Sequence, residues 1–180
     1  MPSLTVGLLT LTMTLEHLNQ LSSPEAEAEF LKCCGSRAWA DAMAAGRPYA
    51  TREELFGRAD EVSSSLTNDD WLEAFRAHPK IGEKKAVTAQ TQQEQSWSSQ
   101  EQSAMHSAST DTLARLARGN QDYEAKFGFI FIVCASGKSS DEMLAILNDR
   151  LSNDAQTELK VAAQEQQKIT RLRLEKLLSQ

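Results

Sequence analysis

Helix starts and stops punctuate this chain along nearly its whole length, and strand signals are sparse. Ser23-Pro24 before EAEAEFLKCC places a serine at an N-cap, a proline in the first helical position and acids in the first turn. Gly35 then reads as the C-cap glycine of that helix, and Ser36 as the N-cap of the next. A short helix around Trp39 and Met43 ends at Gly46-Arg47-Pro48. Thr51 opens another, with Leu55, Ala59, Val62 and Leu66 at helical spacing. Asp69-Asp70-Trp71 opens a fourth that runs to His78-Pro79. Residues 83–97 are polar and rich in Gln, Thr and Ser, which predicts a loop within the domain. Ser98 or Ser99 is expected to start the next helix, because Ser98-Ser99-Gln100-Glu101 spells a capping box. Thr110 to Phe127 reads as a helix closed by Gly128, and Ser139 or Ser140 caps one through Leu151. Asn153 is expected to cap a last helix from about Asp154 to Leu178. Phe129 to Ala135 is an apolar run that fits a buried strand or a buried helical turn equally well. The expectation is an all-α, single-domain bundle of about seven to nine helices.

At 180 residues the chain suits one domain with its own core. Residues 1–14 are expected to be a flexible extension, the first twelve being apolar without the basic flank of a signal peptide. Residues 15–180 form the predicted helical domain. The net charge of −6 offers no electrostatic footprint for nucleic acid, and no stretch is long enough to span a bilayer. Cys33, Cys34 and Cys134 are too few and too irregular for a disulfide framework, which fits a reducing compartment. With His17, His78 and His106 scattered, nothing spells a metal site. Leu178-Ser179-Gln180 is not a peroxisomal address. The cytoplasm is the expected location.

Three features carry chemical interest. His78 precedes a proline, which pushes it out of helical conformation and frees its ring at a helix end. An ordinary histidine at a surface helix terminus fits the same pattern. Ser98 to Gln102 is either a plain capping box or a helix N-terminus that binds an anion beside Glu101. Arg173 falls on the apolar stripe of the last helix, with Leu159, Ala162, Ile169 and Leu177. A charge on such a line is either ion-paired or reaches a ligand. Cys134, in its apolar run, reads as a core residue, as do Trp39 and Trp71.

Taken together and in order, these residues resemble a known family. His78-Pro79-x-Ile81-Gly82, Ser98-x-x-Glu101-Gln102, Asn120-x-x-Tyr123-x-x-x-Phe127-Gly128-Phe129-x-Phe131-x-x-Cys134-Ala135 and Lys168-Ile169-x-x-x-Arg173-Leu174 are similar to the OHCU decarboxylases of urate breakdown. Cys34-Gly35-Ser36, Trp39 and Arg47-Pro48 extend the resemblance, which covers about Leu15 to Leu178. It implies an all-helical homodimer without metal or organic cofactor, acting on a small ureidoimidazoline and yielding (S)-allantoin. By position, it implies His78 as catalytic acid/base and Glu101 as the second catalytic group. Pro79, Ser98, Ser99, Gln100, Gln102, Phe131, Ile132, Val133, Cys134 and Ala135 would line the substrate site, and Arg173 would contact substrate. Glu101 beside His78 would raise the imidazole pKa. A ureide hydrolase and a non-catalytic helical interaction module are the rival readings. Only decarboxylation releases carbon dioxide, and only the module lacks a small polar pocket.

Overall fold

Short polar side chains set the helix starts, as their oxygens accept the first free backbone N–H groups. The computed structural model describes residues 13–82 and 91–179, so the expectations for residues 1–12, 83–90 and Gln180 lie outside it. Among the described residues there are nine α-helices and no strand: α1 (Leu15–Gln20), α2 (Ser23–Cys33), α3 (Arg37–Ala45), α4 (Arg52–Ser65), α5 (Asn68–Arg76), α6 (Gln92–Glu101), α7 (Thr110–Phe127), α8 (Ser140–Arg150) and α9 (Ala155–Leu177). A short 3₁₀ turn, Ser103–Ser107, links α6 to α7. The expected caps Ser36, Thr51 and Ser139 hold, and Gly128 closes α7 in the left-handed conformation, with φ 77°. A glycine has no Cβ to obstruct that turn.

Several boundaries differ from expectation. Ser22 rather than Ser23 caps α2, because Glu25 stands three residues after it and closes a reciprocal box. Thr67 with Asp70 does the same for α5, ahead of the expected Asp69. Asp154, not Asn153, caps α9. Its carboxylate takes the N–H groups of Gln156 and Thr157, while the Asn153 amide turns to Glu158 at 2.8 Å. Gly35 is not a left-handed cap, since α2 ends at the extended Cys34. Glycine is needed there for space: a Cβ would lie 2.4 Å from Ala77 Cβ, where the α2–α3 link crosses the end of α5.

The largest correction concerns Ser98. Thr91-x-x-Glu94 carries the same capping box seven residues earlier, and α6 starts there. Residues 92–97 of the expected polar loop are therefore helix. Ser98 to Glu101 form the last turn of α6, and the Gln102 N–H already donates to the Ser98 carbonyl at 3.1 Å.

Two apolar clusters make the interior. Leu18, Phe30, Trp39, Met43 and Leu55 form one, closed by Leu174 and Leu177 of α9. Phe75, Leu116, Tyr123, Ile132, Met143 and Leu147 form the other, closed by Ala162 and Ile169 of the same helix. Each such fully buried side chain contributes roughly 1.5–3 kcal/mol. Helix α9 thus runs along both clusters, and its middle lies between them.

Phe129 to Ala135 resolves as neither strand nor helix. Its backbone is held by charged side chains. Arg150 donates to the Ile132 carbonyl at 2.7 Å, the Cys134 N–H donates to Glu165 at 2.8 Å, and Lys138 donates to the Cys134 carbonyl at 2.7 Å. Arg150 is itself fixed by Glu158, 2.5 Å away, which also accepts from the Tyr123 hydroxyl. The Phe131 ring stacks beneath the Arg150 guanidinium at 4.8 Å. A buried pair this well bonded defines one position for the segment, and loss of either partner would leave a buried charge alone.

Candidate active site

His78 owes its position to the stop at Pro79. Helix α5 ends at Arg76, and the His78 N–H makes a tight turn to the Phe75 carbonyl at 3.1 Å. Helix α7 then ties down the following loop: Asn120 donates to the Ile81 carbonyl at 2.9 Å, and Glu124 pairs with Lys80 at 2.6 Å. Gly82, at φ 81°, turns the chain so that its N–H meets the Gln102 side chain at 3.0 Å. The loop bearing His78 and the end of α6 are therefore one bonded unit.

These elements line a small pocket, partly open to solvent. Its wall holds His78, Pro79 and Ile81, then Ser98, Glu101 and Gln102, then Phe131 to Ser136, with Ile169 and Leu172 from α9. Most of the expected site residues thus meet. Ser99 and Gln100 do not: both are exposed on the outer face of α6. A helix advances 100° per residue, so the turn that brings Ser98, Glu101 and Gln102 inward sends these two outward. The expected row of free backbone N–H groups is absent too, because the α6 N-terminus lies at Thr91.

Arg173 stands behind the wall rather than on it. It is 3% exposed and grips Glu101 with two prongs, Nε to Oε1 at 3.0 Å and Nη2 to Oε2 at 2.9 Å. Its other bonds go to the Ser98 hydroxyl at 3.2 Å and the Lys32 carbonyl at 3.3 Å. Lys176 adds a second positive charge, 3.5 Å from Glu101. Of the two readings left open for Arg173, the ion pair is the one formed, and Arg173 reaches the pocket through Glu101.

The expected rise in the His78 pKa is overturned. Burial, and after it the positive charge of Arg173, push the imidazole down from 6.5 to about 3. The opposing influence is a hydrogen bond to Gln166, whose Oε1 lies 2.7 Å from His78 Nε2. His78 is therefore a neutral imidazole at ordinary pH. Cys134 lies on the wall, and burial raises its thiol above the usual range, which disfavours the thiolate.

Gln166 and Glu165 escaped the sequence reading. Gln166 lies four residues after Ala162 and three before Ile169, on the same apolar stripe that exposed Arg173. It is fully buried. A polar residue on a core-facing line was the available signal.

The low imidazole value has a consequence for stability. The folded protein leaves His78 unprotonated down to about pH 3, whereas an unfolded histidine takes its proton near 6.5. Between those values the unfolded chain binds the extra proton, so this group's contribution is complete above pH 6.5 and is lost as pH falls toward 3. The thermal midpoint should drop across that window. His78→Gln should flatten the drop relative to the unsubstituted protein, and equal slopes in the two melting series would contradict the assignment.

Comparisons with known proteins bear on the same residues. A family model described as OHCU decarboxylase matches residues 19–175. The "Uric acid degradation bifunctional protein TTL" of Arabidopsis thaliana is 40% identical over 153 residues, which are 85% of this chain and 47% of that protein. The chain thus spans about half the length of that relative. The 2-oxo-4-hydroxy-4-carboxy-5-ureidoimidazoline decarboxylase of Amia calva is 31% identical over 143 residues, covering 77% of this chain and 79% of the other. A crystal structure of OHCU decarboxylase in the presence of (S)-allantoin aligns with a TM-score of 0.71 and 42% identity, over 84% of this chain and 98% of that one.

Proposed function

The chain belongs to the OHCU decarboxylase family, and on that footing we propose that it converts 2-oxo-4-hydroxy-4-carboxy-5-ureidoimidazoline to (S)-allantoin in urate degradation. The observation that carries this reading is that one small pocket brings His78 to the end of α6 that bears Glu101.

The substrate's carboxylate and hydroxyl share one ring carbon, next to the carbon that bears the ureido group. When the bond to the carboxylate breaks, carbon dioxide leaves and its electron pair moves into the ring toward the neighbouring C=N. The ring itself is the electron sink. The hydroxyl carbon then becomes a carbonyl by losing its O–H proton, the ureido-bearing carbon gains a proton, and the ring nitrogen takes one from solvent. Neutral His78 accepts the hydroxyl proton and returns it to the carbon, ending in its starting state. Because the imidazole stands on one side of the pocket, the new C–H bond forms on one face, which sets the (S) configuration.

Glu101 is the second group on the substrate. Fixed by Arg173, its carboxylate accepts from the hydroxyl or the ureido N–H groups. Pro79, Ser98, Gln102 and the wall from Phe131 to Ala135 hold the ring, the latter with backbone groups placed by Arg150 and Glu165. Ser99 and Gln100 take no part.

The working unit in this reading is a homodimer of one helical domain, residues 15–180 joined by Met13, which packs on the first cluster, and Thr14, which caps α1, so that the expected extension shortens to residues 1–12. It acts in the cytoplasm, apart from nucleic acid and membrane. All three cysteines are free and buried, which supports a reducing compartment. Among the described residues no helix is long and apolar enough to cross a membrane.

The direct test is carbon dioxide release from substrate generated in situ from urate. Addition of the protein should raise the rate of release well above the spontaneous one. An unchanged rate, or ureide hydrolysis without carbon dioxide, would overturn the reading.

A further inference from the structure

Building on the decarboxylase reading, we propose that Gln166 is a positioning residue that fixes the tautomer of His78, leaving Nδ1 as the nitrogen that exchanges a proton with substrate. Gln166 is fully buried in the middle of α9, between the two apolar clusters. Its Oε1 lies 2.7 Å from His78 Nε2, and its Nε2 donates to the Thr170 hydroxyl, one turn along the helix, at 3.2 Å. The side-chain amide is therefore held at both ends.

An amide oxygen carries no proton, so the imidazole must donate to it through Nε2–H. The lone pair then resides on Nδ1, which has no hydrogen bond from any described residue. The opposite tautomer would place an N–H donor at Nδ1 without a partner there and leave two acceptors facing each other at 2.7 Å.

The amide is suited to this task where a carboxylate is not. The charged groups at this end of the pocket are Arg173 on α9 and Glu101 on α6, which Arg173 grips, with Lys176 3.5 Å from Glu101; the Cys134 thiol lies on the pocket wall. After burial, the charge that acts on the ring is that of Arg173, and it repels a proton. A neutral acceptor at position 166 orients the imidazole and keeps it unprotonated, so the base is ready before substrate arrives. A carboxylate in its place would hold an imidazolium, which cannot accept a proton.

The experiment is long-range ¹H–¹⁵N correlation of the histidine rings in the full, ligand-free chain, read beside the pH dependence of kcat. Unsubstituted protein should show His78 protonated at Nε2 and bare at Nδ1, with no titration between about pH 5 and 8. Gln166→Glu should raise the His78 midpoint by about two units or more, and move the acid limb of kcat upward with it. Gln166→Met, which keeps the bulk without the acceptor, should mix the tautomers and lower kcat about tenfold or more, with a smaller change in KM. A proton on Nδ1 in the unsubstituted protein overturns the proposal. So does a Gln166→Glu variant in which the His78 midpoint and the kcat profile both stay in place. If either Gln166 variant fails to fold, the unsubstituted spectrum and Thr170→Val, which frees the amide to turn, still decide. The spectra need no substrate. A correct tautomer in a chain that releases no carbon dioxide would sink the decarboxylase reading and leave the positioning of His78 standing.

Discussion

His78→Ala is expected to lower kcat by about 10³-fold or more and leave a folded protein, since a positioned acid/base contributes roughly 10²–10⁴ and in the proposed reaction one imidazole handles the proton twice. No neighbour replaces it. Glu101 is committed to Arg173, and the Cys134 thiol is held protonated by burial. The loss of stability should be modest, about 1–3 kcal/mol, from the Gln166 oxygen left without its donor. His78→Gln separates size from chemistry, because a glutamine side chain still donates to Gln166 and cannot shuttle the proton. Steady-state kinetics with a thermal melt on each variant read both quantities. Activity near that of the unsubstituted protein in either one would contradict the assigned role.

Glu101→Ala should do two things at once. Turnover should be lost, and the fold should weaken by about 3–5 kcal/mol, because the substitution leaves Arg173 charged and buried without its partner. The Ser98 hydroxyl and the Lys32 carbonyl remain to Arg173, but neither offsets its charge. Glu101→Gln should lose activity at a smaller cost, since it keeps an acceptor in place. Combining Glu101→Ala with Arg173→Met should recover part of the lost stability, as an apolar side chain tolerates the vacated site. Urea unfolding of the unsubstituted protein, Glu101→Ala, Arg173→Met and the double variant gives the coupling energy. A Glu101→Ala protein within about 1 kcal/mol of the unsubstituted one would show the pair to be weak, contrary to the geometry.

What could be read from the chain and what could not divide along a physical line. Caps such as Thr51, Ser139 and Gly128 are local signals, and they act locally. The Ser98 box failed because Thr91 offers the same spacing seven residues earlier and the helix takes the first start. That error carried Ser99 and Gln100 into the expected pocket wall. The apolar run from Phe129 to Ala135 was undecidable from its own residues, because its backbone partners, Arg150 and Glu165, come from two later helices. The inward face of Arg173 was legible from the stripe on α9. Its pairing with Glu101 across the fold was not, and burial, with the Arg173 charge after it, reverses the sign of the expected shift at His78. Gln166 was visible on the same stripe, but an uncharged side chain drew no notice there.

The central claim is that this pocket delivers one proton to one face of the decarboxylated ring. Circular dichroism tests it most directly: urate is converted in situ by a urate oxidase and a hydroxyisourate hydrolase, and the product signal is followed with and without the protein. The account predicts faster decay of the intermediate and a lasting signal of (S)-allantoin alone, with the signal absent for His78→Ala. Decay at the spontaneous rate to a racemic product would contradict it.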